Sequence, residues 1–430
     1  MQTLQSVPGM NDILPVDAAR WHAMEEAFRT TCERYGFGEV RTPLCEYTDL
    51  FVRSVGETTD VVEKEMYTFE DRGGRSLTLR PEGTAGAVRA YLNSIAGNEP
   101  LARWFYMGPM FRGERPAKGR YRQFHQVGAE VYGDGGPAVD AEIIDLAYAF
   151  MRGIGIEHVE LRINSLGSGD TRERYRQALV EYFTPLKDKL SPDSQRRLSA
   201  NPLRIIDSKA AEDIALRVNA PRLTDHLGDA DRKHFDAVQS MLAKLGTPFV
   251  VDPTIVRGLD YYTRTIFEIK DTTGILGAQD TLGGGGRYDN LVQELGGRPT
   301  PAIGFGLGSE RLIIAASDRQ IAARGPSAMV IAIAKGDEMD VQGEALSIAR
   351  TLRDAGITAH IDTRFGKADR QFRQAEKHGA RAGVVIGSAE IAAGTVNLKD
   401  LFAKTQRTIA RAQLVDEVRA LLTSPSPGGS

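Results

Sequence analysis

A chain of 430 residues, 41 % hydrophobic and 26 % charged, is long enough for two or three domains with buried cores, which excludes a staple-dependent minidomain and a fully disordered chain. Lys plus Arg number 54 against 57 Asp plus Glu, for a net charge of −3, so a nucleic-acid partner has to be met by local basic patches. Cys32 and Cys45 are too few for a disulfide framework and lack the spacing of a zinc site, as expected of a cytoplasmic protein. The first residues carry no basic and apolar leader pattern, and no run reaches the ~18 apolar residues of a membrane span, so neither export nor a membrane anchor is expected.

In chain order, Trp21, Met24, Phe28, Thr31/Cys32 and Tyr35 recur at helical spacing and predict an amphipathic helix from Pro15 to Tyr35, ended by Gly36 and Gly38. Val40 to Glu46 reads as a short strand that Pro43 confines to an edge or interface. Ser76–Arg80, Arg103–Arg112 and Tyr121–Tyr132 read as antiparallel strands of one sheet, the last two joined by a charged loop. A helix is predicted over 135–151 and a strand over 158–164. Residues 168–250 are charged, helical and glycine-poor, as in an inserted helical subdomain. Strands resume over Arg257–Lys270 and Ala302–Gly308, and a helix follows at Ser309–Ser317. After a polar linker at 318–327, a β-α-β-α-β-β-α succession predicts an α/β domain, and the last residues are expected to be disordered.

Period-two geometry on the Tyr121–Tyr132 strand puts Arg122, Phe124, Gln126, Gly128 and Glu130 on one face and Val127, Ala129 and Val131 on the other. Gly128 opens a space between two hydrogen-bonding side chains where a small polar molecule fits. His125 falls on the opposite face, where a packed or hydrogen-bonded role is expected. Gly304, Gly306 and Gly308 alternate along a strand and leave one face as bare backbone, suited to a flat ligand such as a nucleobase. Arg311 follows at a helix start, where it can meet phosphate. TLGGGGRYDNLV at 281–292 is neither a P-loop nor a Rossmann fingerprint, and alone reads as a turn. The loop from Arg112 to Arg122 carries Arg112, Arg115, Lys118, Arg120 and Arg122 against Glu114, either a solvated charge run or a phosphate-contacting hairpin. A second basic strip comprises Arg364, Lys367, Arg370, Arg373, Lys377 and Arg381.

Taken together, these segments resemble the class II aminoacyl-tRNA synthetases and, among them, the bacterial-type histidyl enzymes, over nearly the whole chain. The helix and strand ending at Pro43 resemble motif 1, FRGERPAKGRYRQFHQVGAEVYG resembles motif 2 and GFGLGSERL motif 3. VRGLDYYTRTIFE at 256–268 and LGGGGRYDNLV at 282–292 resemble the two histidine signatures, supported by RPEGT at 80–84 and VEKEMYTF at 62–69. The resemblance implies an α+β fold: an antiparallel sheet flanked by helices in a catalytic domain over 1–322, a helical insertion at 168–250, an anticodon-binding α/β domain over 328–422, and a disordered tail at 423–430.

Carried over by motif, Arg257 and Arg112 are the expected catalytic groups, bringing the histidine carboxylate to the α-phosphorus of ATP. Glu82, Gly83, Thr84, Arg112, Gln126, Glu130, Arg257, Tyr261 and Tyr262 are expected to bind histidine, with Glu130 and Tyr262 at the imidazole. ATP is expected on Arg112, Glu114, Arg120, Gly304, Gly306, Gly308 and Arg311, with Mg²⁺ accompanying the triphosphate and no metal ligands assigned in the protein. Arg115, Lys118 and Arg120 are placed to guide the acceptor end of tRNA(His). Ala117 stands where the commonest family loop has glutamine, which bears on which tRNA base is read. A homodimer is implied by the motif 1 edge. The alternative is a non-catalytic, histidine-binding regulatory paralogue of ATP phosphoribosyltransferase, which erodes the arginines this chain keeps.

Overall fold

The computed structural model describes residues 4–56, 59, 61–94, 101–206, 208, 210–255, 261–316, 327–333 and 339–424. Arg257 and the rest of 256–260, most of the predicted linker and residues 425–430 of the predicted tail lie outside the described residues. The chain divides into two compact units, 1–323 and 324–430.

The strands of the first unit are β1 (Gly38–Glu39), β2 (Cys45–Tyr47), β3 (Tyr67–Glu70), β4 (Ser76–Leu79), β5 (Ala102–Phe111), β6 (Gln123–Tyr132), β7 (Val159–Ser165), β8 (Val250–Val251), β9 (Thr263–Asp271), β10 (Thr281–Arg287) and β11 (Ala302–Gly308). Its main sheet has the order β1-β5-β6-β11-β10-β9-β7-β8. The six strands from β5 to β7 are mutually antiparallel, whereas β1 and β8 run parallel to their neighbours, so the sheet is mixed at both margins. The fold is α+β, with helices flanking the sheet.

Three expectations change here. Most of the predicted Val40–Glu46 strand is irregular: only Cys45 and Glu46 enter a strand, β2, in a separate sheet of order β2-β4-β3, while β1, just before the segment, joins the main sheet; Pro43, which lacks an N–H, lies in the irregular stretch between them. Ser76–Leu79 pairs with β2 and β3 in the small sheet rather than lying beside β5. The tetraglycine segment is the interior strand β10, not a turn. A Cβ at Gly283 or Gly285 would fall 2.4 or 2.0 Å from a carbonyl oxygen of β11, so the strand accepts glycine's entropic cost to bring two backbones close.

One face of the sheet carries the main apolar core. Val127, Ala129 and Val131 of β6 pack there with Trp21, Met24, Phe28 and Cys32 of the Pro15–Arg34 helix and Ile143, Ile144 and Phe150 of the Pro137–Gly153 helix, as the alternation predicts. Residues of the 168–250 segment enter both large apolar clusters of this unit. Phe235, Val238 and Leu242 of its last helix, Asp229–Leu245, share that same core, while Tyr175, Leu179, Phe183 and Leu203 join an aromatic cluster with Tyr132, Tyr261, Tyr262 and Tyr288.

The second unit contains β12 (Ser327–Ile333), β13 (Ala359–Ile361), β14 (Ala380–Gly387), β15 (Thr395–Asp400) and β16 (Thr405–Ala410), in the order β13-β12-β14-β15-β16. β16 is an addition to the predicted succession. Only Ile409 of its six residues is buried, so its sequence TQRTIA shows no apolar alternation. Arg381 leaves the predicted basic strip: it is 3 % exposed, and its guanidinium bonds Ser424 Oγ at 2.7 Å and lies 3.7 Å from Asp400. Lys367, Arg370, Arg373 and Lys377 remain exposed on or beside the Ala368–Lys377 helix.

Candidate active site

Pro81-Glu82-Gly83 leads from β4 into the Thr84–Ser94 helix. The carboxylate of Glu82 accepts the backbone N–H groups of Thr84 and Ala85, both at 2.7 Å, satisfying two of the donors that every helix start leaves open. Glu82 is thereby fixed inside the protein, 4 % exposed. Arg80, one residue before the turn, donates to the Pro109 carbonyl of β5 at 2.9 Å and to Thr42 Oγ1 at 2.9 Å. One buried guanidinium thus ties the motif 1 segment to the motif 2 strand.

Glu130 is fully buried on β6. Oε1 accepts from the Thr84 hydroxyl at 2.8 Å and the Tyr106 hydroxyl at 3.2 Å, and Oε2 from the Tyr288 hydroxyl at 2.5 Å. A carboxylate offers about four lone-pair sites, so the three hydroxyls leave room for a further donor such as a substrate N–H. Burial pushes the Glu130 carboxyl up to about 8, against those three hydroxyls, and the nearby charge of Glu82 pushes in the same direction as burial. Hydroxyls can turn from donor to acceptor, so the same shell accommodates either protonation state.

Tyr106 and Tyr288 were not among the expected site residues, and Tyr106 and Glu130 correct two expectations about glycines. The space beside Gly128 is filled by the protein: the Tyr106 ring passes between Gly83 and Gly128, where a Cβ would sit 2.1 and 2.5 Å from it. Gly304 does not floor a nucleotide, because a Cβ there would lie 1.6 Å from Glu130 Oε2; its bareness makes room for that carboxylate. Gly306 and Gly308 do face open space, which lies over Gln126 and Arg311.

That space is a cleft lined by Arg112, Glu114, Gly119, Arg120, Tyr121, Phe124, Gln126, Thr281, Leu282, Gly283, Gly306, Gly308, Glu310 and Arg311. Arg112 donates from Nε to the Pro81 carbonyl at 2.9 Å, and its guanidinium lies over the Phe124 ring, 5.3 Å from the centroid. Arg311 donates to the carbonyls of Gly119 at 2.8 Å and Thr281 at 2.6 Å. Its guanidinium is pushed below the usual arginine range by burial, and by the neighbouring charges of Arg120 and Arg112. Three guanidinium groups, of Arg112, Arg120 and Arg311, thus border one cleft that also carries Glu114 and Glu310. The motif 2 loop folds back as a tight turn, with Ala117 and Arg120 exchanging backbone bonds at 2.9 and 3.0 Å, and Arg120 pairs with Glu114. Arg115 stays exposed, while Lys118 reaches the Ile275 carbonyl at 2.7 Å. His125 lies outside the cleft, bonded from Nδ1 to Glu310 at 2.9 Å and edge-on to Trp21.

Tyr261 and Tyr262 are each 6 % exposed. Their rings lie 4.6 Å apart, and Tyr261 is 5.6 Å from Tyr288. Thus Glu82, Gly83, Thr84, Glu130, Tyr261 and Tyr262 gather with Tyr106 and Tyr288 on one side. Arg112, Glu114, Arg120, Gln126, Gly306, Gly308 and Arg311 gather on the other.

Comparisons with known proteins identify the family. The family model described as histidyl-tRNA synthetase matches residues 9–168 and 177–312, and one for an anticodon binding domain matches 327–421. The chain belongs to the histidyl-tRNA synthetase family. It is 53 % identical over 410 residues to a histidine–tRNA ligase of Sorangium cellulosum, covering 94 % of each chain. It is 47 % identical over 422 residues to one of Rippkaea orientalis, covering 98 % of this chain and 97 % of the relative. The solved apo histidyl-tRNA synthetase of S. aureus superposes with a TM-score of 0.79 at 36 % identity, over 97 % of this chain and 100 % of that one. An ATP phosphoribosyltransferase regulatory subunit/histidyl-tRNA synthetase from Bacillus halodurans shares the fold, with a TM-score of 0.65 at 21 % identity, over 90 % of this chain and 99 % of that one. The protein is a class II ligase that forms His-tRNA(His) by way of histidyl-adenylate, with an α+β catalytic core and a C-terminal anticodon-binding domain. No helix among the described residues is long and apolar enough to cross a membrane.

Proposed function

We propose a division of labour across this site. ATP lies in the cleft with its base over Gly306 and Gly308 and its distal phosphates on Arg311, while Glu114 and Arg120 border the motif 2 side. Histidine lies between Gln126 and the Glu130 cluster, its ammonium toward Glu82, Thr84 and Gln126 and its imidazole toward Glu130, Tyr261 and Tyr262. Gly83 lets Tyr106 reach Glu130 instead of touching substrate. The observation that carries this reading is the convergence of Arg112, Arg120 and Arg311 on a cleft floored by bare backbone.

The chemistry fits that convergence. The histidine carboxylate attacks the α-phosphorus in line, forming the acyl-phosphate bond and breaking the bond to pyrophosphate. Two anions must meet while charge builds on the leaving group, so preorganised cations lower the barrier. Arg112 serves at the carboxylate and α-phosphate together with Arg257, whose role is assigned by its place in the RGLDYY signature. The substrate supplies its own nucleophile, and in the second step the terminal ribose hydroxyl of the tRNA attacks the adenylate carbonyl and releases AMP. Arg115, Lys118 and Arg120 guide that acceptor end by phosphate contacts.

The described residues of the cleft do not form a dedicated metal cage. Both carboxylates of the cleft are engaged, Glu114 by Arg120 and Glu310 by His125, and among the described residues no three His, Cys, Asp or Glu side chains gather as metal ligands. Mg²⁺ is placed in this reading as the counter-ion of the triphosphate, as the family resemblance implies. A homodimer in the cytoplasm completes the reading, supported by the motif 1 resemblance and by family membership.

Pyrophosphate exchange with each of the twenty amino acids tests the assignment. Exchange is expected with histidine alone, and Arg112→Ala and Arg257→Ala are each expected to lower it by about 10²-fold or more with the fold intact. Undiminished exchange in either variant would remove that arginine from the reaction.

A further inference from the structure

Two ion-pair nodes, Arg287–Asp140 fully buried and Arg264–Asp231 half-buried, converge on one helix that lines no part of the cleft. The Asp229–Leu245 helix lies in the main core, and none of its residues lines the nucleotide space. Asp231, near its start, accepts Ser168 N and Oγ, both at 2.8 Å, and Arg264 Nε at 3.0 Å. Arg264 stands two residues after Tyr262 and has a φ of +40°, a left-handed conformation that costs a non-glycine residue about 1–3 kcal/mol unless its surroundings impose it. Those surroundings are visible: Arg264 N donates to the Gly167 carbonyl at 2.9 Å, its own carbonyl accepts Leu166 N at 2.6 Å, and the β9–β10 register slips at Thr263.

The second node lies one turn further along the helix. His234 Nε2 meets Asp140 Oδ2 at 2.8 Å, and Asp140 in turn receives Arg287. Arg287 is fully buried and directly precedes Tyr288. Its remaining N–H groups go to the carbonyls of Asp134 at 2.9 Å and Gly136 at 3.0 Å and to Asp289 at 3.0 Å. That accounts for all of its roughly five donors, so this guanidinium is fully engaged by the protein. Buried ion pairs contribute little net stability compared with apolar residues of the same volume. The buried Arg287–Asp140 pair and the half-buried Arg264–Asp231 pair, each within two residues of a pocket tyrosine, are better accounted for by what they place.

We propose that the Asp229–Leu245 helix positions the histidine pocket from behind. Asp231 acts through Arg264 on Tyr261 and Tyr262, and His234 acts through Asp140 and Arg287 on Tyr288 and hence on Glu130. Amino-acid affinity, and not nucleotide affinity, then depends on side chains that contact neither substrate. This rests on the reading that Tyr261, Tyr262 and Glu130 face histidine.

The test is steady-state pyrophosphate exchange on the full-length protein, with histidine and ATP varied separately and Tyr262→Phe as the reference. Asp231→Ala and His234→Leu are expected to raise KM for histidine about tenfold while KM for ATP stays within about twofold. His234→Gln, whose amide nitrogen reaches the place of Nε2, is expected to restore histidine KM to within about threefold of the parent. Combining Asp231→Ala with Tyr262→Phe is expected to raise histidine KM by less than the product of the single effects, as for groups acting on one contact. If Asp231→Ala does not fold, Asp231→Asn and Arg264→Lys carry the same comparison. Equal rises in both KM values, or a fall in kcat alone, would overturn the proposal. A raised histidine KM in Tyr262→Phe with none in Asp231→Ala would overturn the helix's role and leave the pocket assignment standing. An unchanged histidine KM in Tyr262→Phe would remove the assignment and the proposal together.

Discussion

Glu130, proposed for histidine recognition, also carries a pH signature. Its carboxyl is held near 8 by burial, well above the ~4.3 of a free glutamate. Between those two values the folded state binds the proton more tightly than the unfolded chain, so stability contributed by the group is complete below the lower value and is lost as pH rises through the upper one. The wild type is therefore expected to lose melting temperature between about pH 5 and pH 8 relative to Glu130→Gln, which cannot ionise; a constant difference between the two proteins across that range would contradict the assignment. Period-two alternation made Glu130 and Gln126 legible in the sequence, and burial of Val127, Ala129 and Val131 on the other face agrees with it. Tyr106 and Tyr288 were not legible. Their hydroxyls meet Glu130 across 24 and 158 positions of chain, and nothing in a local pattern announces so distant a partner. Arg381 was misplaced for a related reason: a cation reads as surface until the groups that bury it are known.

At the level of elements, β10 and β11 decide the shape of the site because their glycines serve different ends. Gly283 and Gly285 let the two strands approach, Gly304 houses a carboxylate, and Gly306 and Gly308 face the cleft. Their effects on substitution should separate accordingly. Gly304→Ala forces the Glu130 carboxylate to move and is expected to raise histidine KM about tenfold or more, with ATP KM changed far less. Gly306→Ala is expected to raise ATP KM instead, since its side faces the cleft proposed for the nucleotide, with Gln126 3.7 Å away as the nearest neighbour. Pyrophosphate exchange with each substrate varied in turn reads both, and a reversed pattern would exchange the two roles. Three glycines in phase showed that something approaches this strand, but glycine names no partner, so the sequence could not tell a nucleobase from a neighbouring carboxylate. The strand identity of β10 was hidden for the same cause, as glycine runs score as turns. The edge strand β16, with one buried side chain in six, lacked the apolar period by which strands are read.

For the whole molecule, the apolar clusters fall wholly within one unit or the other: Val127 and Phe150 share a core with Phe28, whereas Val330, Ile348, Val384 and Leu398 form another. Each unit thus buries its own hydrophobic residues, the condition for independent folding. A chain ending at residue 323 is expected to keep histidine-dependent pyrophosphate exchange within about tenfold while losing most tRNA charging; loss of exchange would show that activation needs the second unit. The order and class of most elements were legible, as were the long signatures that mark the family, because both are carried by contiguous residues. Which strands share a sheet was not, since β2 and β4 are separated from β1 and β5 by a break and a pairing that only assembly reveals. The ring of Tyr106, wedged between Gly83 and Gly128, binds three sites into a single heritable unit. A lineage that enlarges either glycine must shrink the tyrosine in the same step, so homologous enzymes should vary at these three sites in concert or hold all of them constant.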